Sequence, residues 1–143
     1  MKLILPALEK FELPIVLPLH PRTKSRLDTF NIEPPANVQA IAPVGYLDMV
    51  MLEQNALLIA TDSGGVQKEA FFYRVPCVTL RHETEWTELL QAGWNRLAPP
   101  DNADNIFSSL QAAAESRGSD ITPYGEGRAG EKIVNHIAHA SVD

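Results

Sequence analysis

The chain has 143 residues, of which 45% are hydrophobic and 21% are charged, and its formal net charge is −6 at pH 7. This length fits one domain, and the acidic balance argues against general nucleic-acid binding, which uses a basic surface. The single cysteine, Cys77, excludes an internal disulfide, and the sequence shows neither an apolar run of membrane-spanning length nor the apolar core of a signal peptide.

Hydrophobic periodicity predicts strands that alternate with helices along the whole chain. In chain order, the predicted elements are helix 1–12, strand 13–20, helix 23–30, strand 37–41, helix 45–55, strand 56–60, a helix opening at Gly64–Gly65, strand 76–80, helix 84–93, strand 94–98, and helices 103–115 and 129–140. This alternation indicates βαβ units. We therefore expect an α/β fold with a Rossmann-like parallel sheet of about five strands and helices on both faces.

The stretch ATDSGGVQKEA places a polar turn between an apolar strand and a helix. Asp62 or Ser63 can cap the helix, which leaves Gly64 and Gly65 in its first turn at a cost of about 1 kcal/mol each in helix propensity. Two explanations for the glycines are open. They allow a tight turn or close packing on the sheet, or they give a phosphate access to the N–H groups at the helix N-terminus.

Four polar side chains follow predicted strands, namely His20, Asp62, Ser63 and Arg81. Ligands of parallel α/β sheets bind outside the carboxyl ends of the strands. The placement of these four residues therefore favours the anion-site explanation over a purely structural turn.

Other motifs carry weaker signals. GEGRAG matches G-x-G-x-x-G literally, but Pro123 and Tyr124 precede it instead of a strand, so we expect a loop entering the last helix and not a dinucleotide site. Cys77 is interpreted as a small buried strand residue, and Trp86 and Trp94 as packing anchors. The four histidines show no metal-ligand spacing, and we expect no metal site.

Three segments, TDSGGVQKEA, VPCVTLRHETEWTELLQAGWNRL and PYGEGRAGEKIV, closely resemble the carboxyl-terminal domain of the non-hydrolysing UDP-N-acetylglucosamine 2-epimerases. LPLHPRTKSRL and PVGYLDMVML also fit, so the resemblance covers nearly the whole chain. That family has the two-domain GT-B architecture and interconverts UDP-N-acetylglucosamine and UDP-N-acetylmannosamine by elimination and re-addition of UDP. The resemblance implies that residues 1–143 form one UDP-binding domain like the carboxyl-terminal half of a GT-B fold, without a metal or other cofactor.

The resemblance also implies a set of UDP-binding residues. They are Ser63, Gly64 and Gly65 for the diphosphate, Glu69 for the ribose hydroxyls, Met49 for the uracil, and His20 for the sugar-nucleotide region. The family typically has an aromatic residue where this chain has Met49, although methionine can also pack on a ring. Arg81 and Glu85 match a family motif near the cleft and are left without a role.

The family's catalytic carboxylates belong to an amino-terminal domain, and a further catalytic histidine belongs to a His-Arg-Arg-Glu segment. The resemblance places these groups, and the first strand of the domain, outside the 143 residues. We therefore expect no epimerase activity from the chain alone, and its own catalytic residues are unknown.

The expected partners are UDP or UDP-N-acetylglucosamine and a separate amino-terminal catalytic domain, while a homodimer is left open. No nucleic-acid or membrane partner is expected, and the expected location is the cytoplasm. Two alternative functions are a non-catalytic UDP-sugar-binding or regulatory module and a GT-B glycosyltransferase domain.

Overall fold

The computed structural model describes residues 2–140. Its elements are α1 (Ile4–Lys10), β1 (Ile15–Pro18), α2 (Pro21–Thr29), β2 (Val38–Ile41), α3 (Tyr46–Gln54), β3 (Ile59–Thr61), α4 (Gly64–Phe72), β4 (Cys77–Thr79), α5 (Thr87–Gln91), β5 (Asn95–Leu97), α6 (Ala103–Ala114) and α7 (Ala129–His139). The α/β alternation is confirmed, and most boundaries differ by only a few residues. The predicted helix start at residue 1 lies outside the described residues.

The five strands pair in parallel, in two hydrogen-bonded groups. In the first group β1 pairs with β2, with Ile15 opposite Val38. In the second, β4 lies between β3 and β5, so that Cys77 is opposite both Ile59 and Asn95. The parallel strands agree with the prediction, but they do not form one continuous ladder because β1 and β3 each have one edge that pairs with no other described strand.

Successive residues of β4 face the two helical layers, and all three of its residues are buried. Val78 belongs to a hydrophobic cluster with side chains of α1, α2, α6, β1 and β2. Thr79 points to the other face, where its hydroxyl enters a polar network that reaches α4. The main buried members of the first cluster from the helices are Leu5, Leu8, Leu27, Ile106 and Leu110.

A second, aromatic cluster lies beside α4 and α5. The rings of Phe71 and Trp94 meet nearly edge to face with centroids 6.1 Å apart, and Tyr124 meets Phe71 in the same way. Trp94 is 6% exposed, and its indole N–H donates to the carbonyl of Ser119. A Cβ atom at Gly118 would overlap the Trp94 ring, so the glycine allows this approach. The interpretation of Trp94 as a packing anchor is confirmed.

Cys77 is 2% exposed, and burial raises the pKa of its thiol to about 12. A thiol held in its protonated form is a poor nucleophile. The interpretation of Cys77 as a buried strand residue is therefore confirmed.

The helix predicted to be capped by Thr84 begins later than expected. α5 starts at Thr87, with Trp86 in the N-cap position and without a side-chain cap. The Thr84 hydroxyl instead donates to Gln67 Oε1 at 2.6 Å and accepts from the backbone N–H of Trp86. The capping prediction was wrong because the backbone after Thr84 forms a turn, closed by its own bond to the Trp86 N–H, and becomes helical only at Thr87.

The GEGRAG segment forms an exposed loop that leads into α7, as expected. Gly125 and Gly127 have positive φ angles there, a conformation that glycine adopts without strain. α7 lies at the surface, with Ile133 and Ile137 exposed on it. Within residues 2–140, no helix combines the length and apolar character needed to cross a membrane.

Candidate functional site

The candidate site is the turn that joins β3 to α4. β3 ends at Thr61, and α4 begins at Gly64 with Ser63 in the N-cap position. The Ser63 side chain makes no capping hydrogen bond, while its backbone N–H donates to Thr61 Oγ1 at 3.1 Å. The first N–H groups of a helix have no partner within the helix, so this turn presents a hydroxyl and unpaired amide donors to a ligand.

The two glycines of the turn have different surroundings. A Cβ atom at Gly64 would lie 2.5 Å from Glu85 Oε1, and the Gly64 carbonyl accepts a hydrogen bond from the Trp86 indole at 2.8 Å. A Cβ atom at Gly65 would have only Ser63 Oγ nearby, at 3.8 Å. Close packing therefore accounts for Gly64, whereas Gly65 leaves open space at the helix N-terminus. The explanation by phosphate access stays a prediction for Gly65.

Glu85 and Arg81 add opposite charges to the turn. Glu85 Oε2 lies 3.2 Å from Arg81 Nη1, and both side chains are partly exposed. A carboxylate beside a helix N-terminus is stabilised by the helix dipole, and Arg81 balances its charge. Because Glu85 lies against Gly64, an anionic ligand has its open approach on the Gly65 side.

A buried polar network fixes α4 on the three-stranded group. The Gln67 amide oxygen accepts from the Asn95 amide at 2.9 Å and from the Thr84 hydroxyl, and its amide nitrogen donates to the Ser63 carbonyl at 3.2 Å. Asn95 Oδ1 in turn accepts from the Thr79 hydroxyl at 2.8 Å. Gln67 and Thr79 are fully buried. The network links β4 and β5 directly to the N-cap carbonyl of α4.

α3 and α4 pack against each other, and three of the relevant side chains lie on these two helices. Glu69 lies in the second turn of α4 and is partly buried. Burial raises the pKa of Glu53 on α3, and the charge of Glu69 raises it further. Met49 precedes Glu53 by four residues, so it lies on the same side of α3. The structure thus brings Met49 and Glu69 to the same pair of helices.

Glu53 is an unexpected buried residue of α3. It is only 3% exposed, and neither carboxylate oxygen has a hydrogen-bond partner. A buried polar group without a partner destabilises the folded state. The sequence offered no signal for it, because a glutamate near the end of an amphipathic helix usually faces solvent.

His20 lies beside the other strand group, two residues after the carboxyl end of β1. It occupies the N-cap position of α2, and its Nδ1 atom accepts from the backbone N–H of Arg22 at 3.2 Å. Pro21 follows in the first helical position, where proline is well tolerated. His20 therefore has a local structural role, and its ring remains exposed at the end of the strand.

The polar network is the part of the site that sequence reasoning missed. Thr79 and Asn95 stand inside predicted apolar strands, and a buried polar residue requires a hydrogen-bond partner. Those two positions were therefore the available signal. Gln67 gave none, because glutamine is an ordinary residue in an exposed helix. Among residues 2–140 the structure contains no group of three or more His, Cys, Asp or Glu side chains arranged to hold a metal ion.

Comparison with known sequences identifies similar proteins. A family model described as UDP-N-acetylglucosamine 2-epimerase matches residues 1–138. The chain is 43% identical over 125 residues to the UDP-2,3-diacetamido-2,3-dideoxy-D-glucuronate 2-epimerase of Pseudomonas aeruginosa, covering 87% of this chain and 35% of that protein. It is 40% identical over 136 residues to the UDP-N-acetylglucosamine 2-epimerase of Methanocaldococcus jannaschii, covering 92% of this chain and 37% of that protein.

Solved structures of UDP-GlcNAc 2-epimerases have a similar fold. The UDP-GlcNAc 2-epimerase of Methanocaldococcus jannaschii aligns with a TM-score of 0.85 at 37% identity, covering 97% of this chain and 41% of that one. A complex of the same organism's enzyme with UDP-GlcNAc and UDP aligns at 0.83 and 38% identity, with 97% and 39% coverage. The chain thus spans well under half the length of these proteins.

The polar network generates a prediction about stability. We expect Gln67→Leu to lower the free energy of unfolding by about 1–3 kcal/mol, because the Asn95 amide and the Thr84 hydroxyl lose their acceptor. Urea denaturation followed by circular dichroism measures the change. Gln111→Leu, at an exposed position of α6, is the matched control and should shift stability by less than about 0.5 kcal/mol. Equal midpoints for the two variants would contradict the proposed importance of the network.

Glu53 generates a prediction about pH. Its raised pKa means that its stabilising contribution is complete below the unfolded-state pKa, near 4.5, and is lost as the pH rises through the folded-state value. We expect Glu53→Met to raise the free energy of unfolding at pH 7 by about 1–3 kcal/mol, and by less at pH 4.

Urea denaturation at both pH values tests this expectation. The matched control is Gln54→Met, the exposed neighbour on the same helix, which should show no pH-dependent gain. A Glu53→Met gain of the same size at pH 7 and pH 4 would show that the carboxyl charge is not what destabilises the folded chain.

Proposed function

The chain belongs to the UDP-N-acetylglucosamine 2-epimerase family, and we propose that it forms the UDP-binding domain of an enzyme that inverts C2 of a UDP-linked N-acetylated sugar. The observation that carries this proposal is the turn after β3, where the first turn of α4 faces open space at Gly65. The activity belongs to a longer protein in the relatives, because the chain spans 35% and 37% of the two described above.

The diphosphate of UDP is proposed to bind at Ser63, Gly64 and Gly65. The amide donors of the first helical turn and the helix dipole favour an anion at this position. The open space at Gly65 lets a phosphate approach the backbone, while Glu85 restricts the Gly64 side. Arg81 lies close enough to balance the carboxylate of Glu85, which limits repulsion between that carboxylate and the phosphates.

The nucleoside is proposed to lie over the adjoining helices α3 and α4. Glu69 is one and a half turns from the phosphate turn, and a carboxylate can accept hydrogen bonds from both ribose hydroxyls. Met49, on the same side of α3 as Glu53, is proposed to pack on the uracil ring. The nearness of Glu69 to Glu53, which shares its side of α3 with Met49, supports this arrangement.

His20 is proposed to face the sugar-nucleotide region. The position of His20 supports this proposal, because His20 follows the carboxyl end of β1 as Ser63 follows that of β3. Its Nδ1 atom is occupied by the α2 cap, so Nε2 is the atom that would meet a ligand.

Inversion at C2 requires two catalytic functions, and the proposed UDP-binding domain accounts for one of them. A base must remove the C2 proton while the C1–O bond to UDP breaks, and the departing diphosphate must be stabilised. α4 can provide the second function. We propose that the base and the remaining catalytic groups come from a separate amino-terminal domain, so that the chain alone is inactive.

The relatives act on two different sugars, so two substrates are candidates for the proposed enzyme. The Pseudomonas aeruginosa relative acts on a diacetamido-dideoxy-glucuronate carried by UDP, whereas the Methanocaldococcus jannaschii relative acts on UDP-N-acetylglucosamine. Both substrates share the UDP moiety, which is what the residues of the α4 turn and of the adjoining helices α3 and α4 would recognise. A non-catalytic UDP-sugar-binding module remains the alternative for the domain as a whole.

Calorimetric titration tests the UDP site. We expect UDP to bind, and Gly65→Val to weaken both UDP and inorganic pyrophosphate by about tenfold or more, because a branched side chain blocks the phosphates. We expect Glu69→Gln to weaken UDP by a similar factor while leaving pyrophosphate nearly unchanged, since pyrophosphate has no ribose.

Glu9→Gln, an exposed glutamate of α1, is the matched control and should leave both titrations unchanged. If Glu69→Gln weakened UDP and pyrophosphate equally, Glu69 would not be the ribose ligand. If wild-type chain bound neither compound, the proposed site itself would be rejected.

A second assay tests the proposed inactivity of the chain alone. We expect no deuterium at C2 of UDP-N-acetylglucosamine after incubation with the pure chain in deuterated water. General acid–base assistance typically contributes about 10²–10⁴-fold, and we propose that a separate domain supplies its groups. Mass spectrometry of the recovered sugar nucleotide measures the exchange. Enzymatic exchange that disappears in His20→Ala would show that the chain holds a complete catalytic site.

A further inference from the structure

Trp86 contacts the candidate turn through its indole N–H. The nitrogen Nε1 donates to the Gly64 carbonyl at 2.8 Å, and the two residues are 22 positions apart in the chain. The Trp86 side chain is only partly buried, so water could satisfy its indole N–H in place of this carbonyl. Burial of the donor alone therefore does not account for the bond.

The acceptor of this bond belongs to the same peptide unit as the Gly65 N–H. The carbonyl of one residue and the N–H of the next lie in one rigid plane, and in a trans peptide they point in opposite directions. All the described peptide bonds are trans. A donor fixed on the Gly64 carbonyl therefore fixes the direction of the Gly65 N–H, which is one of the amide groups that have no acceptor within α4.

The two glycines leave this peptide unit with little restraint of its own. Glycine has more backbone freedom than other residues, and Ser63 adds no side-chain cap to hold the turn. The Gln67 amide is anchored on the Ser63 carbonyl, which belongs to the preceding peptide unit. The Trp86 indole is thus a tertiary contact that reaches the peptide between Gly64 and Gly65 itself.

The indole ring is held by a cation and by a second ring. Lys68 Nζ lies 4.5 Å from the centroid of the Trp86 ring and 4.4 Å from that of Tyr124. The two rings meet edge to face, with centroids 5.9 Å apart and an angle of 88° between their planes. Both arrangements are attractive, because the face of an aromatic ring is negative and its edge is positive. Lys68 and Tyr124 thus restrict the rotation of the Trp86 ring.

Tyr124 is itself fixed from two sides. Its ring meets that of Phe71, a buried residue of α4, at a centroid distance of 5.7 Å. The segment that carries it is bonded to the chain around β5, because the Ser119 N–H donates to the Ala92 carbonyl and the Ser119 carbonyl accepts from the Trp94 indole. Tyr124 is therefore a stable support for the side chains that lie against it.

We propose that Trp86 is a positioning residue of the anion site, because its indole holds the Gly65 N–H in the direction of a bound phosphate. Lys68 and Tyr124 hold the indole in the position that this bond requires. Hydrogen bonds at the two ends of a peptide unit also strengthen each other, so the bond to the Gly64 carbonyl makes the Gly65 N–H a better donor. This inference rests on the proposed function, since it concerns the diphosphate of UDP.

A packing role and a positioning role make different demands on an indole. Packing needs the ring alone, whereas positioning needs the N–H group as well. Trp94 provides a comparison within the same chain, because its indole N–H donates to the carbonyl of Ser119, which lies outside α4. The two tryptophans therefore form a matched pair in which only Trp86 is bonded to the candidate turn.

Replacing each tryptophan by phenylalanine tests the proposal. Trp86→Phe removes the indole N–H and keeps both an aromatic ring and the net charge. We expect it to bind inorganic pyrophosphate about three- to tenfold more weakly, the size of one net hydrogen bond. Trp94→Phe is the matched control, and its affinity should change by less than about 1.5-fold. Calorimetric titration measures the dissociation constants, and circular dichroism establishes that each variant is folded.

The Gly65 amide reports the direction of the donor in NMR spectra. Pyrophosphate should move the Gly65 amide proton downfield in the wild-type chain, because an N–H that donates to an anion forms a short, strong hydrogen bond. At saturation this shift should be smaller in Trp86→Phe and unchanged in Trp94→Phe. The amide of Gly125, which donates to the Thr122 carbonyl in the loop before α7, is the internal control and should not move.

A double-mutant cycle tests the role of Lys68. Lys68→Met should weaken pyrophosphate binding by about two- to fivefold in the wild-type chain, since the indole loses its cation. In the Trp86→Phe background the same change should have little further effect, because the bond that Lys68 supports is already absent. Lys68→Arg keeps a cation over the ring and should retain the wild-type affinity. Equal weakening in both backgrounds would show that Lys68 attracts the anion directly and would overturn its supporting role.

The remaining outcomes separate this inference from the proposed function. Equal pyrophosphate affinity in folded Trp86→Phe and wild-type chains would overturn the inference and leave the UDP site standing. Equal weakening by Trp86→Phe and Trp94→Phe would also overturn it, since lost packing would then explain both. A chain that binds pyrophosphate but not UDP, with the expected Trp86→Phe effect, would support the inference and reject the nucleoside site. A wild-type chain that binds neither compound would reject both.

Discussion

The buried amide of Gln67 is the interaction on which the geometry of the candidate site depends. Its oxygen accepts from Asn95 and Thr84, and its nitrogen donates to the Ser63 carbonyl, so one side chain joins β5, the loop before α5 and the N-cap of α4. The amide is fully buried, and each of these bonds satisfies a group that would otherwise be costly to bury. Because a helix N-terminus can bind an anion only where its amides point, the position of α4 on the sheet determines where a phosphate could be held.

The same network explains why the segment from Thr84 to Trp86 lies on the first turn of α4. Thr84 is held by Gln67, and the Trp86 indole donates to the carbonyl of Gly64. Glu85 between them is thereby directed at Gly64, where only a residue without a side chain leaves room for its carboxylate. Residues 84–86 therefore block access to the first turn of α4 at Gly64 and leave access open at Gly65. The charge of Glu85 would oppose a phosphate, and Arg81 compensates for it within the same loop.

Sequence reasoning succeeded where the signal was local. The alternation of apolar runs and helical periodicity gave the order of all the elements, and the Gly64–Gly65 pair marked the start of α4. It failed where the signal was tertiary. Thr84 looked like a helix cap because the partner that fixes its position, Gln67, is 17 residues away in the chain. The two strand groups could not be separated by periodicity, since an apolar run shows that a residue is buried and does not show which strand lies beside it. The roles of Ser63, Glu69, Met49 and His20 remain proposals, because they concern a ligand.

α4 also joins the candidate turn to the aromatic cluster. Gln67 faces the buried polar network, and Phe71, one helical turn later, packs against Trp94 and Tyr124. Residues four apart lie on the same side of a helix, so one face of α4 meets both β5 and the aromatic rings. Because these side chains of α4 are buried, the direction of its first amide groups is set by the packing of the helix, and a phosphate proposed to bind at Gly65 would meet donors already in position.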